Sequence, residues 1–233
     1  MTDFRKGIIR GLPIGLGYFP VSFTFGLMVT SNRLPAWFAV LLSLTNLTSA
    51  GQFAGTQLIL AGATVVEIAL ATFIINIRYM LMSLSLTQKL EKGVSTGQRL
   101  LFGFGITDET FAVAACEPRA LSAKYIYGLI TLPIIGWTLG TVLGAVCTSF
   151  LSPSVSSAME IALYAMFIAI IIPPAKKSKP VLICILMSVA ISCIFRYIHI
   201  FDFISDGFKI IITTLAAACA AAALFPHTEE ERR

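Results

Sequence analysis

The chain has 233 residues, of which 57% are hydrophobic and only 12% charged, about half the roughly 25% charged share of a soluble domain. So few charges cannot cover a water-facing surface, which excludes an ordinary soluble globular protein and makes lipid the surrounding solvent. The net charge of +5 lies in short runs between apolar segments, not in a basic stripe interleaved with aromatics, which sets nucleic acid aside as a partner.

A membrane-crossing helix needs about 20 apolar residues. The N-terminus, MTDFRKGIIR, is basic and is followed by a first segment over 11–31 with no small-x-small cleavage site. It reads as a first span with a cytoplasmic N-terminus and not as a cleaved leader. Segment two covers 36–60 inside an uncharged stretch, and segment three covers 67–87 with Arg78 in its middle. After a polar loop carrying Lys89, Glu91, Lys92 and Arg99, segment four (100–117) is short and interrupted by Asp108 and Glu109. Segments five (125–150), six (157–173, ending at Pro173-Pro174), seven (180–198) and eight (207–225) complete the chain. The uncharged runs lack the alternation of a transmembrane barrel. The expected fold is therefore an all-α, polytopic transmembrane bundle of six to eight segments forming a single domain over 1–233.

Leu12-Pro13-Ile14 in segment one recurs as Leu132-Pro133-Ile134 in segment five, each among glycines. That spacing suggests repeat halves, 1–118 and 119–225. Loops at matching positions differ in charge, which suggests halves of inverted orientation, with segments two and six re-entrant. Eight plain spans are the alternative, and they place the cationic 88–99 loop outside.

Several residues are expensive in lipid and so stand out. Arg78, near the bilayer centre, costs at least about 2.5–3.5 kcal/mol unless it faces the bundle interior with a partner. Asp108 and Glu109 are its natural counter-charges, and Asn76, two residues away, points elsewhere on the helix. Asn46, Thr48, Ser49, Gln52 and Gln57 in segment two either bond neighbouring helices or line a solute path, and Ser49-Ala50-Gly51-Gln52 is a place for local unwinding. Gly15, Gly17 and Pro20 are expected to break segment one and expose backbone groups. Gly11/Gly15, Gly51/Gly55 and Gly136/Gly140/Gly144 lie four apart, on faces where helices approach closely. Glu67 and Glu160 sit at segment ends and read as interfacial.

The five cysteines, none in CxxC spacing, read as small packing residues, and two histidines near segment ends make no metal site. No cofactor is indicated. No G-x-x-x-x-G-K-[ST] motif is present, so this chain does not hydrolyse ATP through a P-loop. Asp108 and Glu109, about 100° apart on a helix, are poorly placed as an acid/base pair, so an intramembrane enzyme is disfavoured.

The stretches GLPIGLGYFPVSFTFG (11–26), LTSAGQFAGTQLILAGATVVEIALATFIINIRYMLMSLSL (47–86), ITDETFAVA (106–114) and ALYAMFIAIIIP (162–173), in this order, resemble the AzlC family, the large subunit of bacterial branched-chain amino acid exporters. The resemblance implies a gradient-driven permease in the bacterial cytoplasmic membrane for valine, leucine, isoleucine and similar neutral amino acids. It also implies a small AzlD-type membrane subunit as partner. Family members often carry histidine after the Asn-x-Arg element, where this chain has Tyr79. That removes one titrating group from any coupling scheme. The expected solute path uses Arg78, Asn76, Asp108, Glu109, Gln52, Asn46, Gly15, Gly17 and Pro20. The alternatives are an accessory subunit of a transporter complex and a carrier of another small zwitterionic or anionic solute.

Overall fold

A computed structural model of the protein describes residues 2–147, 168, 171–172, 174–201 and 203–225. Among these, nine α-helices are delimited: α1 (Asp3–Ser31), α2 (Ala36–Thr45), α3 (Ser49–Leu60), α4 (Val65–Thr87), α5 (Thr96–Phe104), α6 (Asp108–Ala115), α7 (Ala123–Cys147), α8 (Lys179–Tyr197) and α9 (Asp206–Leu224). Five of them, α1, α4, α7, α8 and α9, are long and apolar enough to cross a membrane. The fold is an all-α polytopic membrane bundle. Segment six and Glu160 fall largely or wholly outside the described residues.

The chain forms two compact units. The first, residues 1–56 and 75–163, is built on α1 and α7. Their glycines set the packing. A Cβ on Gly7 would collide with the Tyr125 carbonyl, one on Gly15 would lie 2.6 Å from the Leu132 carbonyl oxygen, and one on Gly26 would collide with the Thr141 carbonyl. Residue numbers rise together along the contact, so the two helices run parallel, backbone against backbone, as small-residue faces permit in lipid. This corrects the inverted relation expected for these two segments: helices related by inversion would run antiparallel.

Segments two and four are each two short helices, too short to span, folded back on themselves. Ser43 of α2 bonds Thr141 of α7 at 2.7 Å, and Gln52 of α3 bonds Ser43 at 3.0 Å. A continuous helix would hold Ser43 and Gln52 about 13 Å apart along its axis. Phe53 also returns to stack edge-on against Phe25 of α1, with ring centroids 5.2 Å apart. The chain thus enters from the C-terminal end of α1, turns at Asn46–Thr48 and climbs back. This fold-back is the shape that a re-entrant segment two requires.

Segment four makes a second hairpin, one the sequence reading did not foresee, from the opposite end. Phe102 stacks on Tyr127 (4.9 Å) and Gly105 abuts Ile130. Thr107 and Glu109 reach the Tyr18 hydroxyl, and the chain then returns so that Glu117 pairs with Lys6 at 2.5 Å. The loops at this end are tied by Ser122–Asp3 (2.7 Å), by Lys89 Nζ donating to the Ala115 carbonyl, and by backbone bonds between Leu121 and the 89–91 segment.

The second unit, residues 57–74 and 164–233, contains the first half of α4 with α8 and α9. Helices α8 and α9 are antiparallel, with Cys184 Sγ against the Ala217 carbonyl, and are linked through a turn at His199–Phe201. Glu67, in the first turn of α4, is buried there. Its carboxylate accepts from Ser205 Oγ (2.5 Å) and the Gly207 amide (2.9 Å), anchoring the N-terminus of α9 where the helix dipole favours an anion. Gly207 has no room for a side chain, because a Cβ would meet Glu67 Oε1 at 2.6 Å.

Candidate functional site

The polar groups singled out in the first unit gather about the middle of α4, where Arg78 meets the tip of the second hairpin and Asn76 meets that of the first. Helix α4 supplies Arg78, thirteen residues after Val65 and nine before Thr87. Its Nη1 lies 2.6 Å from Asp108 Oδ2. The guanidinium also covers the neighbouring Tyr79 ring at 5.0 Å, and Nη2 donates to the Tyr79 hydroxyl at 3.3 Å. The side chains of Arg78 and Asp108 keep 42% and 37% exposure, so the pair is not sealed in the packed interior and stays open to exchange of partners.

The second hairpin holds its acids at the first turn of α6. Thr107 caps that helix in a reciprocal capping box with Thr110, and Asp108 and Glu109 follow at its positive end. Tyr18 of α1 donates to Glu109 Oε2 at 2.5 Å and lies 2.6 Å from Thr107 Oγ1, fixing the tip to α1. Tyr18 stands edge-on to Trp137 of α7 at 5.4 Å. Trp137 in turn donates its indole N–H to Gln52 Oε1 at 2.8 Å, and Gln52 Nε2 donates to Ser43. A chain of contacts therefore runs from the tip of one hairpin through α1 and α7 into the other.

The sequence-expected residues divide into three groups. Arg78 and Asp108, with Glu109 next to them in α6, come together at the tip of the second hairpin, while Asn76 lies apart from them. Asn76 faces the first hairpin, its amide nitrogen 2.7 Å from the point where a Gly51 side chain would begin. Gln52 and Asn46 belong to the first hairpin itself. Gln52 is 1% exposed and bonded at both ends of its amide, so it holds the hairpin against α7, while Asn46 closes α2 through its backbone amide on Leu42. Gly15, Gly17 and Pro20 do not break α1, which is continuous from Asp3 to Ser31 with Pro13 and Pro20 inside it. Gly15 is a packing residue, and Gly17 faces open space. The breaks lie instead at Asn46–Thr48, just before the Ser49–Gln52 quartet singled out for unwinding, and at Gly105–Thr107.

Tyr18, Trp137, Ser43 and Thr141 were missed as site residues. The available signal was the pair of amphipathic aromatics amid the glycines of α1 and α7: a buried Tyr or Trp needs a partner for its polar end.

Chemically, the site offers one fixed cation, two carboxylates at a helix N-terminus, a phenol and neutral amides. That set can bind a zwitterion by taking its carboxylate on Arg78 and its ammonium on an acid. Among the described residues no group of three or more His, Cys, Asp or Glu side chains could hold a metal ion.

The family model described as AzlC protein matches residues 13–151, more than half of the chain and the whole of this site. The inner membrane protein YgaZ of Escherichia coli (strain K12) is 29% identical over 185 residues, covering 76% of each chain. An uncharacterized membrane protein of Archaeoglobus fulgidus is 30% identical over 175 residues, covering 74% of this chain and 76% of its own. The branched-chain amino acid transport protein AzlC of Bacillus subtilis (strain 168) is 22% identical over 180 residues, covering 76% and 69%. No solved structure matches the chain.

Proposed function

The chain belongs to the AzlC family, a family of membrane transport proteins, and from that membership and the geometry of its site we propose that it is a permease exporting branched-chain or similar neutral amino acids. The observation that carries this reading is the Arg78–Asp108 pair, held at 2.6 Å between α4 and the tip of the second hairpin and partly open. An incoming amino acid replaces each charge's partner: its carboxylate takes Arg78, and its ammonium takes Asp108 or Glu109. The unpaired charges that would otherwise be stranded in a low-dielectric site are thereby avoided. An apolar pocket for the side chain would discriminate among valine, leucine and isoleucine by only about 1–3 kcal/mol per methylene.

The end of the first unit that carries the N-terminus gathers Arg5, Lys6, Lys89, Lys92, Arg119 and Lys124, against Arg33 at the other end. This favours a cytoplasmic N-terminus in a bacterial cytoplasmic membrane. The site chemistry is that of binding and release, not of bond cleavage, so the protein acts as a carrier and not as an enzyme. A small AzlD-type subunit is the proposed partner. Helix α8 has no buried residue in its apolar window and offers a face for such a subunit. That same open face is what favours the second reading, an accessory subunit whose partner forms the path.

Export of valine from dipeptide-loaded cells, with this chain expressed alone and with its partner, tests the proposal. Internal valine is expected to fall when the chain is present. Equal accumulation with and without it rejects the export reading, and export unaffected by Arg78→Ala in the complex favours the accessory role.

A further inference from the structure

The tip of the second hairpin carries more negative charge than positive. Arg78 of α4 pairs with Asp108, and among the described residues no cation forms a salt bridge with Glu109. The polar and charged groups around Glu109 come from each element packed there. Helix α1 presents the Tyr18 hydroxyl, and α4 presents Arg78 and Tyr79. Helix α6 itself adds Asp108, and α7 sets the neutral Trp137 behind Tyr18. Helix α5 carries one charge, Arg99, near its start and away from the tip. One cation against two carboxylates leaves an uncompensated negative charge beside the middle of a membrane helix, where charge is expensive. A proton on Glu109 removes it.

Hydrogen counting around Tyr18 shows that the tip accepts either state. The phenol has one hydrogen but two oxygen neighbours, Glu109 Oε2 at 2.5 Å and Thr107 Oγ1 at 2.6 Å. One of the two must therefore donate to it. With Glu109 ionised, Tyr18 donates to the carboxylate and Thr107 donates to Tyr18. With Glu109 protonated, the carboxyl donates to Tyr18, Tyr18 turns its hydrogen to Thr107, and Thr107 turns its own to Thr110 Oγ1, 3.1 Å away. Thr110 Oγ1 has a lone pair for it: that oxygen accepts from the Thr107 amide at 2.8 Å and donates to the Gly105 carbonyl at 2.9 Å. Every hydrogen of the chain is placed in both states, so no polar group is stranded when the proton arrives or leaves. Glu109 is also exposed, which leaves its carboxyl open to proton exchange.

We propose that Glu109 carries a proton through the transport cycle, taken up from the outer side and released to the cytoplasm as one amino acid leaves, while Asp108 receives the ammonium group. The proton passes from water to Glu109 Oε2 and back to water from the same oxygen. The hydroxyls of Tyr18 and Thr107 only rotate, and no O–H bond of theirs breaks. Two opposed effects poise the carboxyl: the first turn of α6 and the Tyr18 hydrogen bond favour the anion, and the uncompensated charge favours the acid. A carrier needs both states, one to load the proton and one to shed it. The protonation of Glu109 stands on the geometry of the tip, and its coupling to export rests on the transport reading.

Two measurements on the purified full chain separate these claims. Infrared spectra are recorded over about pH 5 to 9, the range in which a group loads and sheds a proton near working pH. A carboxylic acid band that titrates in that range is expected, absent in Glu109→Gln and moved along the pH scale in Tyr18→Phe. Proteoliposomes are then given radioactive valine outside and an acid interior, with the membrane potential clamped to zero by potassium and valinomycin. At one proton exchanged per valine, a gradient of about one pH unit is expected to raise internal valine up to about tenfold over external. Whatever valine flux remains in Glu109→Gln is expected to ignore the gradient. A titrating band that persists unchanged in Glu109→Gln, or gradient-driven accumulation in that variant equal to that of the unaltered protein, overturns the proposal. Should Glu109→Gln fail to fold, the spectra still decide: no titrating band in the unaltered protein, or one that Tyr18→Phe leaves in place, overturns it equally. Valine exchange that ignores the gradient in the unaltered protein rejects the coupling and leaves the transport reading intact. A titrating Glu109 band without any valine flux rejects the transport reading, and the coupling with it.

Discussion

Removing one member of the Arg78–Asp108 pair strands the other's charge halfway along a membrane helix, and that consequence separates a structural role from a functional one. Arg78→Met or Asp108→Asn alone is expected to destabilise the protein by about 1–3 kcal/mol, below the 3–5 of a sealed pair, because both side chains are a third or more exposed. Changing both removes the stranded charge, so the double variant should regain most of that stability. If the pair only braces α4 against the second hairpin, the double variant transports as well as it folds. If Arg78 holds the substrate carboxylate, it unfolds normally yet shows no amino acid flux in proteoliposomes, and flux near the unaltered level in that variant removes Arg78 and Asp108 from the path. Arg78 and its acids were legible in the sequence because charge in lipid is rare and must be paired. Tyr18 and Trp137 carried only the weaker signal of amphipathic rings amid glycines, and the partner that each polar end needs shows only once burial is known.

At the scale of elements, helix boundaries followed the apolar runs closely, while the breaks within them did not. Gly15, Gly17 and Pro20 looked like a break, yet α1 runs through them. Membrane helices tolerate proline because neighbouring groups satisfy the freed carbonyls, and here the glycines serve close packing. The true breaks are marked by polar capping residues: Asn46 and Thr48 in one hairpin, Thr107 with Thr110 in the other. The distinction is measurable with two glycines two residues apart. Gly15→Ala puts a methyl 2.6 Å from the Leu132 carbonyl oxygen, whereas Gly17→Ala meets nothing within 4 Å. Gly15→Ala should therefore cost about 1–3 kcal/mol of overpacking in an unfolding titration. Gly17→Ala should be neutral or stabilising by up to about 1 kcal/mol, as alanine is the better helix former. Equal effects at the two positions would contradict the parallel α1–α7 interface.

For the whole molecule, the two hairpins decide which loops share a side of the membrane. Reading every apolar run as a crossing sent the cationic 88–99 loop to the far side from the N-terminus, while the differing loop charges suggested opposite halves with segments two and six re-entrant. With segments two and four each entering and leaving on one side, α1, α4 and α7 are the only crossings before Cys147 among the described residues, and the cations collect at one end. The charge bias and the helix geometry then agree, where in the plain eight-span reading they conflicted. This makes a sharp prediction for single cysteines in a background lacking the five native ones. Arg33→Cys and Gly62→Cys flank the first hairpin and should both react with a membrane-impermeant maleimide from outside intact cells. Gly93→Cys, just beyond α4, should react only in inverted vesicles. If segment two crossed the bilayer instead, Gly62→Cys would switch to the inside and Gly93→Cys to the outside, and the labelling pattern would reverse at both positions together. One experiment thus tests both the re-entrant hairpin and the cytoplasmic N-terminus, because both follow from the same count of crossings.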